Sequence, residues 1–373
     1  MLKNLPPKDR LKGKKVLLRA DFNVSIVNQK VSSTNRITES LGTLRYLVSA
    51  GARVILISHL GRPRSFGDPE SSLRPVYDFL KSKLNKIYFS EEIFGDKTDK
   101  IVKNLTNGEV VLLENLRWDT GEESGSLEFA KRLASLADMY VNDAFAVSHR
   151  DHASVSTICQ FLPHFAGFLL KKEIVGLQKL SKNARSPFIL VLGGAKIADK
   201  ILVINNLAPS VSKILIGGAM ANTFMAASGI DVSNSLLEPD VLNTAKEYLG
   251  RYRDKIVLPQ DNIKKDWADG FSYMDIGRQT INKYKKVISK AKTIFWNGNM
   301  GYSEDQKYAQ GTEEIARAIS SSSAESYIAG GDTVGAIEKM KIKDKFSFVS
   351  TGGGAALEFL AGKKLPGIKA LED

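Results

Sequence analysis

The chain has 373 residues, 43% hydrophobic and 25% charged, with a formal net charge of +12 and a single cysteine, Cys159. That length exceeds what one hydrophobic core usually serves, so two domains are expected, and the composition excludes disordered, fibrous and disulfide-scaffolded classes. No apolar run approaches the ~20 residues needed to cross a bilayer, and the start, MLKNLPPKDRLKGKK, lacks the apolar core of a secretory signal, which points to the cytoplasm.

In chain order, runs rich in Val, Ile and Leu recur at 14–22, 52–60, 108–116 and 138–145. They do not alternate with polar residues, as expected of strands covered on both faces in a parallel sheet. Between them, 72–84 places Val76, Phe79, Leu80 and Leu84 on one helical face. The segment 126–137 opens on Ser126 as a candidate cap. Cys159 sits in an apolar run and reads as a buried structural thiol. The stretch 167–187 reads as one long helix ending before Pro187. It is either a connector between two domains or the last helix of the first, and the residues leave both open. Further strand-like runs follow at 187–194, 213–220, 292–298, 326–331 and 346–354, with a helix over 312–322 that Thr312 would cap. Repeated strand–helix alternation in both halves predicts two Rossmann-like α/β domains, each a mostly parallel sheet flanked by helices.

Open α/β sheets place ligands beyond the carboxyl ends of their strands. In the first half those ends carry Arg19, Asp21 and Asn23, then His59 and Arg62, then Asn115 and Arg117, then Asn142, Asp143, His149 and Arg150. Arg36 stands just ahead of a helix. Several guanidinium groups on one rim suit a small multiply charged anion, because arginine binds phosphate or carboxylate through two parallel hydrogen bonds. In the second half the ends carry Gly193-Gly194, Gly217-Gly218, Gly298, Gly330-Gly331 and Gly352-Gly353-Gly354. Glycines let backbone amides approach a phosphate chain or a flat ring, which points to a nucleotide.

The run LVLGGAKIADK, 190–200, sets Lys196 and Lys200 four residues apart, on one face if a helix begins there, but it is not a P-loop. Asp332 either caps the next helix or serves as a magnesium ligand beside the phosphates. His149 and His152 lack a third partner for zinc, and no activated-serine motif occurs. The lysines are scattered, as at 81–86 and 282–292, without interleaved aromatic residues, which weighs against a nucleic-acid surface. Arginines on one rim and glycines, lysines and a carboxylate on the other argue for phosphoryl transfer.

The segments RADFNVS (19–25), SHLGRP (58–63), LLENLRW (112–118), NDAFAVSHRDHAS (142–154), GGAKIADK (193–200), WNGNMGYSE (296–304), GGDT (330–333) and STGGGAALEFLAGKKLPG (350–367) together resemble the phosphoglycerate kinase family over essentially the whole chain. The resemblance implies reversible phosphoryl transfer from 1,3-bisphosphoglycerate to MgADP, giving 3-phosphoglycerate and MgATP. It implies triose-phosphate binding by Asp21, Asn23, Arg36, His59, Arg62, Arg117 and Arg150. Nucleotide binding falls to Gly194, Lys196, Lys200, Gly217, Gly218, Asn297, Glu304, Gly331, Asp332 and Thr333, with Asp332 as the Mg²⁺ carboxylate and Glu304 on the ribose. Arg36, Lys196 and the amides of Gly352, Gly353 and Gly354 are implied to act on the transferring group.

The family further implies a monomer that bends at a hinge, to which the composition adds a cytoplasmic location and no membrane partner, and it weighs against nucleic acid. Its phosphoglycerate domain would span 1–168, an interdomain helix 169–186 and a nucleotide domain 187–350, with residues from about 351 to 373 folding back onto the first domain. The chain departs from the family pattern at Ser25, Ala219, Arg278 and Asn299, places where proline or a further glycine is common, so nucleotide affinity is where it is expected to differ. Another two-domain kinase or ligase acting on a different acid, and a binding protein exploiting the net charge, are the competing readings.

Overall fold

The computed structural model describes residues 2–372. Packing divides the chain into two units: one runs up to Ile174 and regains the chain from Lys364 onward, and the other is Val175–Lys363. The helix Phe168–Asn183 carries the chain from the first unit into the second.

The first unit is built on six strands: β1 (Lys15–Arg19), β2 (Arg53–Ile57), β3 (Ile87–Phe89), β4 (Val110–Leu112), β5 (Met139–Asn142) and β6 (His164–Ala166). They lie in the order β3-β4-β2-β1-β5-β6, every neighbouring pair parallel. Val16, Leu17 and Leu18 are all buried, as are Val54 to Ile57, because helices cover both faces and leave no polar side for alternate residues to point to. Helix Asn35–Ser49 shows the matching pattern, burying Ile37, Leu41, Leu44 and Leu47 at helical spacing in the same core as Val16, Leu18 and Val54.

The second unit repeats the plan with β7 (Phe188–Leu192), β8 (Lys213–Ile216), β9 (Ile256–Val257), β10 (Thr293–Asn297), β11 (Glu325–Ala329) and β12 (Phe348–Val349). Their order, β9-β8-β7-β10-β11-β12, is again parallel throughout. It is the doubly wound order that reverses direction between the first and fourth strands, here β7 and β10, and opens a crevice beyond their carboxyl ends. Helix Arg278–Ile288 sets Ile281, Tyr284 and Ile288 into the core with Trp296 and Ile294. An antiparallel hairpin, Asn262–Trp267 with Gly270–Ile276, stands outside the sheet.

The expected fold class of two parallel α/β layers flanked by helices is therefore present, and most predicted strands fall within their predicted ranges. Ser126 accepts from the Phe129 amide as a cap should. Three local expectations need correction. Helix Gln310–Ser320 begins before Thr312, whose hydroxyl accepts from the Met300 amide at 2.9 Å, so tertiary bonding has taken the residue from the capping role. Only Phe348–Val349 of the run 346–354 pairs in the sheet. Cys159 is half-buried in the short helical turn Thr157–Gln160, since its run lies at the unit's surface beside exposed Phe161.

Candidate functional site

The carboxyl ends of the first unit's strands carry a bonded set of charged side chains. After β1 the chain turns at Asp21, whose carboxylate accepts from the Asn23 amide at 3.0 Å and lies 2.9 Å from the Arg36 guanidinium. Arg36, in the first turn of helix Asn35–Ser49, also donates to the Asn23 carbonyl and remains 29% exposed. The Asn23 side chain accepts from the Gly61 amide at 2.9 Å, and Arg117 donates to the Gly61 carbonyl at 2.8 Å while pairing with Glu123 at 3.0 Å. Asp21, Asn23, Arg36, His59 and Arg117 are thus brought to one rim. Arg62 and Arg150 are exposed side chains on the loops that follow β2 and β5.

His59 is buried, and its pKa is pushed well below the ordinary histidine value by burial first and then by Arg19, Arg117, Arg36 and His152. His152 is lowered to about 4 by burial first and then by Arg117, Arg19, Arg150 and His149. Both rings are therefore neutral at physiological pH, so the rim's positive charge resides in guanidinium groups. Sequence reasoning missed the support beneath: Arg19, Glu122 and Ser154 are fully buried and hydrogen-bonded together. Their signal was a charged residue at the very end of an apolar strand, which fits the interior only with charged or polar partners there.

In the second unit the crevice between β7 and β10 is woven from backbone. The Gly193 amide donates to the Asn297 carbonyl, that of Gly194 to Asn299, that of Gly218 to Met300 and that of Met220 to Gly194, all between 2.8 and 2.9 Å. A Cβ on Gly193 would lie 2.2 Å from the Asn299 carbonyl oxygen, one on Gly298 2.2 Å from that of Gly193, and one on Gly217 2.7 Å from Met300 Sδ. These glycines are first of all what lets three loops cross. The fourth loop is tied in by Asn297 Nδ2 donating to the Ala329 carbonyl and the Gly298 amide donating to Thr333 Oγ1 at 2.7 Å.

Beside this weave lies a cleft of ≈ 380 Å³, lined among others by Gly194, Ala195, Gly218, Ala219, Asn299, Tyr302, Glu304 and Asp332. Its far wall comes from the hairpin, Ser272 to Ile276, and from Leu236. That wall was not foreseen, because its strand Gly270–Ile276 is mostly half-buried and the partner strand Asn262–Trp267 is charged and mostly exposed, so neither carries a buried-strand signature. Asp275, held by the Gly311 and Ile276 amides in this wall, is raised to about 6 by burial. The volume is in the range of small-ligand sites, and the place is where doubly wound sheets take nucleotides.

Of the expected nucleotide residues, Gly194, Gly218, Glu304 and Asp332 line the cleft, whereas Gly217, Asn297 and Thr333 are buried behind it. Gly331 and Asp332 open helix Gly331–Lys339. Helix Ala198–Leu207 starts after Lys196, so the two lysines do not share a helix face. Lys196 is exposed on the preceding loop, and the Lys200 ammonium turns back to the Lys196 carbonyl at 2.7 Å, near Gly194. The loop stops short of helix because the Ile197 amide is drawn to Glu238 at 2.7 Å. Gly352 and Gly353 lead into helix Gly354–Leu360, which packs against helix Ala198–Leu207.

An arginine-rimmed α/β unit joined to one with a nucleotide-sized cleft at its switch point is the construction of a two-domain phosphotransferase. The family model for phosphoglycerate kinase matches residues 8–363. Curated relatives described as phosphoglycerate kinase include those of Thermosipho africanus, 46% identical over 97% of this chain and 96% of that protein, and Pseudothermotoga lettingae, 44% identical over 100% and 99%. Among solved structures, phosphoglycerate kinase from Pyrococcus horikoshii superposes with a TM-score of 0.87 at 32% identity, covering 97% of this chain and 96% of that one. The enzyme from Coxiella burnetii does so at 0.83 and 36%, covering 97% of both. The chain belongs to the phosphoglycerate kinase family. Its reaction is the family's reversible phosphoryl transfer between 1,3-bisphosphoglycerate and ADP, an ATP:3-phosphoglycerate 1-phosphotransferase activity of glycolysis. Among the described residues, no helix is long and apolar enough to cross a membrane.

Proposed function

We propose that 3-phosphoglycerate is held on the first unit by Asp21, Asn23, Arg36, His59, Arg62, Arg117 and Arg150. In the same reading the nucleotide lies in the cleft of the second, against Gly194, Gly218, Glu304 and Asp332, with Gly331, Lys196 and Lys200 nearby and Gly217, Asn297 and Thr333 supporting the floor from behind. The observation that carries this reading is the cleft itself, in which the glycine weave, Glu304 and Asp332 converge at the switch point.

In the ATP-consuming direction, a carboxylate oxygen of 3-phosphoglycerate attacks the γ-phosphorus and the bond to the β,γ-bridging oxygen breaks. The nucleophile is already an anion, so no general base is required. What the protein supplies is position and positive charge around the three equatorial oxygens. Arg36 and Lys196 are the groups assigned to that charge, and the amides of Gly352 to Gly354 complete it. Arg36 is suited to the task because Asp21 and the Asn23 carbonyl fix its orientation while it stays accessible.

Asp332 fits a Mg²⁺ ligand. Its carboxylate is exposed, lines the cleft and meets no hydrogen bond or ion pair among the described residues. No group of three or more candidate metal ligands occurs among them either, which suits an ion held by one carboxylate and arriving on the phosphates. Bound there, Mg²⁺ would screen the phosphate charge. The working form in this reading is a cytoplasmic monomer whose units close about a hinge, excluding water from an easily hydrolysed acyl phosphate.

A coupled assay with 3-phosphoglycerate and MgATP tests the assignment. The wild type consumes ATP only with this acid, and Arg36→Ala loses most of its turnover. Near-normal turnover in either Arg36→Ala or Lys196→Ala would remove that residue from its role.

A further inference from the structure

Arg19 is the last residue of β1 and is fully buried, with each of its nitrogens engaged. Nε donates to Ser154 Oγ at 2.9 Å, Nη1 to the Ala20 carbonyl, and Nη2 lies 3.1 Å from His59 Nδ1. The last contact has only one chemically allowed direction. A guanidinium carries donors and no acceptor, so Nδ1 of His59 must be the unprotonated, accepting nitrogen. Asp21, the other charged group facing that nitrogen, is 3.8 Å away and does not compete for a proton on it.

The guanidinium is itself oriented from behind. Ser154 Oγ accepts from Arg19 and donates to Glu122 Oε1 at 2.6 Å, while Glu122 Oε2 accepts from the Ser154 amide at 2.9 Å. Glu122 Oε1 also sits 3.8 Å from Arg19 Nη2 and 3.9 Å from His152 Nδ1. Every hydrogen bond in the series has its direction fixed, with Arg19 and Ser154 donating and Glu122 accepting, and all three side chains are buried.

We propose that Arg19, oriented by Ser154 and Glu122, is a positioning residue that fixes His59 in the tautomer with its proton on Nε2. The inference rests on the reading of His59 as part of the triose-phosphate rim. His59 then offers the substrate one hydrogen-bond donor and no charge. Its proton is in place before the anion arrives, so binding requires no proton uptake by this ring. The charged and titratable groups around it, Arg19, Arg36, Arg117, His152 and Asp21, carry a cationic excess that opposes a second proton on the ring. The arginines hold the charge and the histidine holds a direction.

The chain has four histidines, so imidazole nitrogen spectra of the uniformly ¹⁵N-labelled full chain resolve the question, with His59→Gln supplying the assignment. The expected result is a single neutral Nε2–H ring for His59 with no titration between about pH 5 and pH 8. A ring protonated on Nδ1, or one titrating near the ordinary value of about 6.5, overturns the proposal. Ser154→Ala releases the guanidinium from one side. It is expected to give a mixture of tautomers at His59 and to raise KM for 3-phosphoglycerate roughly tenfold, the scale of one hydrogen bond, with kcat changed less than about twofold. An unaltered His59 spectrum in folded Ser154→Ala overturns the relay. Addition of 3-phosphoglycerate to the wild type separates the two readings. A shift of the His59 Nε2 signal supports both. A silent signal in the Nε2–H tautomer leaves the tautomer lock standing and removes His59 from the substrate rim.

Discussion

The two units share a sheet plan but solve ligand recognition with different parts of the chain. The first presents side chains: Asp21, Asn23, Arg36 and Arg117 are held in a bonded set, and His59 by Arg19, before any ligand arrives. The second presents backbone, with three loops crossing so closely that Gly193, Gly217, Gly218 and Gly298 have no room for a Cβ. A compact, highly charged acid is best recognised by prepositioned donors of fixed geometry. A long nucleotide is better served by an open cleft whose floor is main chain and whose side chains stand at the edges. One topology thus supports both solutions, and the difference lies in the loops after the strands.

Substitutions in the two rims should therefore fail in different ways. The largest effect is expected at Arg36 or Lys196, where alanine lowers kcat by ~10²–10³-fold, the usual loss for one well-placed charge-stabilising donor, and steady-state assays read it directly. Next comes Gly193→Ala, whose added Cβ would meet the Asn299 carbonyl at 2.2 Å. Overpacking of this kind costs about 1–3 kcal/mol, so calorimetry should show the second unit melting several degrees lower. Gly331→Ala is the control. Nothing lies within 4 Å of its Cβ, so stability should be unchanged, and any rise in KM for ATP reports on the ligand alone.

Asp332→Ala is expected to raise KM for MgATP about tenfold and leave KM for 3-phosphoglycerate unaltered, separating the rims kinetically. Equal changes in both constants would break the division of labour proposed here.

The first unit should also respond to pH. Burial raises Asp143 in the first unit to about 7. A carboxyl raised on folding binds more protons in the native state, so its contribution to stability is greatest below the unfolded pKa of about 3.9. That contribution declines as pH rises toward 7. Asp143 Oδ1 accepts from the Leu170 amide, whereas Oδ2 has no hydrogen-bond partner, so Asp143→Asn keeps the first contact. It should flatten the pH dependence of the melting temperature between about pH 4 and pH 7.

Much of this was legible in the sequence, for identifiable reasons. Unbroken apolar runs such as Val54 to Ile57 announced strands covered on both faces, and residues at their ends marked the rims. The hairpin wall of the cleft was illegible because Gly270–Ile276 is mostly half-buried and its partner Asn262–Trp267 mostly exposed, so neither has a burial pattern to betray it. The lysines were misplaced relative to the helix because Glu238, 41 residues further on, takes the Ile197 amide, a contact no local pattern contains. Arg19 was visible only as one more cation at a strand end. Its partners Glu122 and Ser154 come from a short helix, Thr120–Glu123, and a separate loop, and their convergence is a property of the fold.

The return of the chain to the first unit from Lys364 has a bearing on biosynthesis. That segment buries Leu365 and Leu371, and the Gly367 amide donates to the Ser148 carbonyl at 2.9 Å, where a Cβ on Gly367 would meet Val155 Cγ1 at 2.6 Å. All six strands of the first sheet have left the ribosome by Ala166, but this segment emerges only after the whole of Val175–Lys363. The unit begun first is therefore closed last. During translation the patch around Ser148 and Val155 stays uncovered until the last residues of the chain emerge.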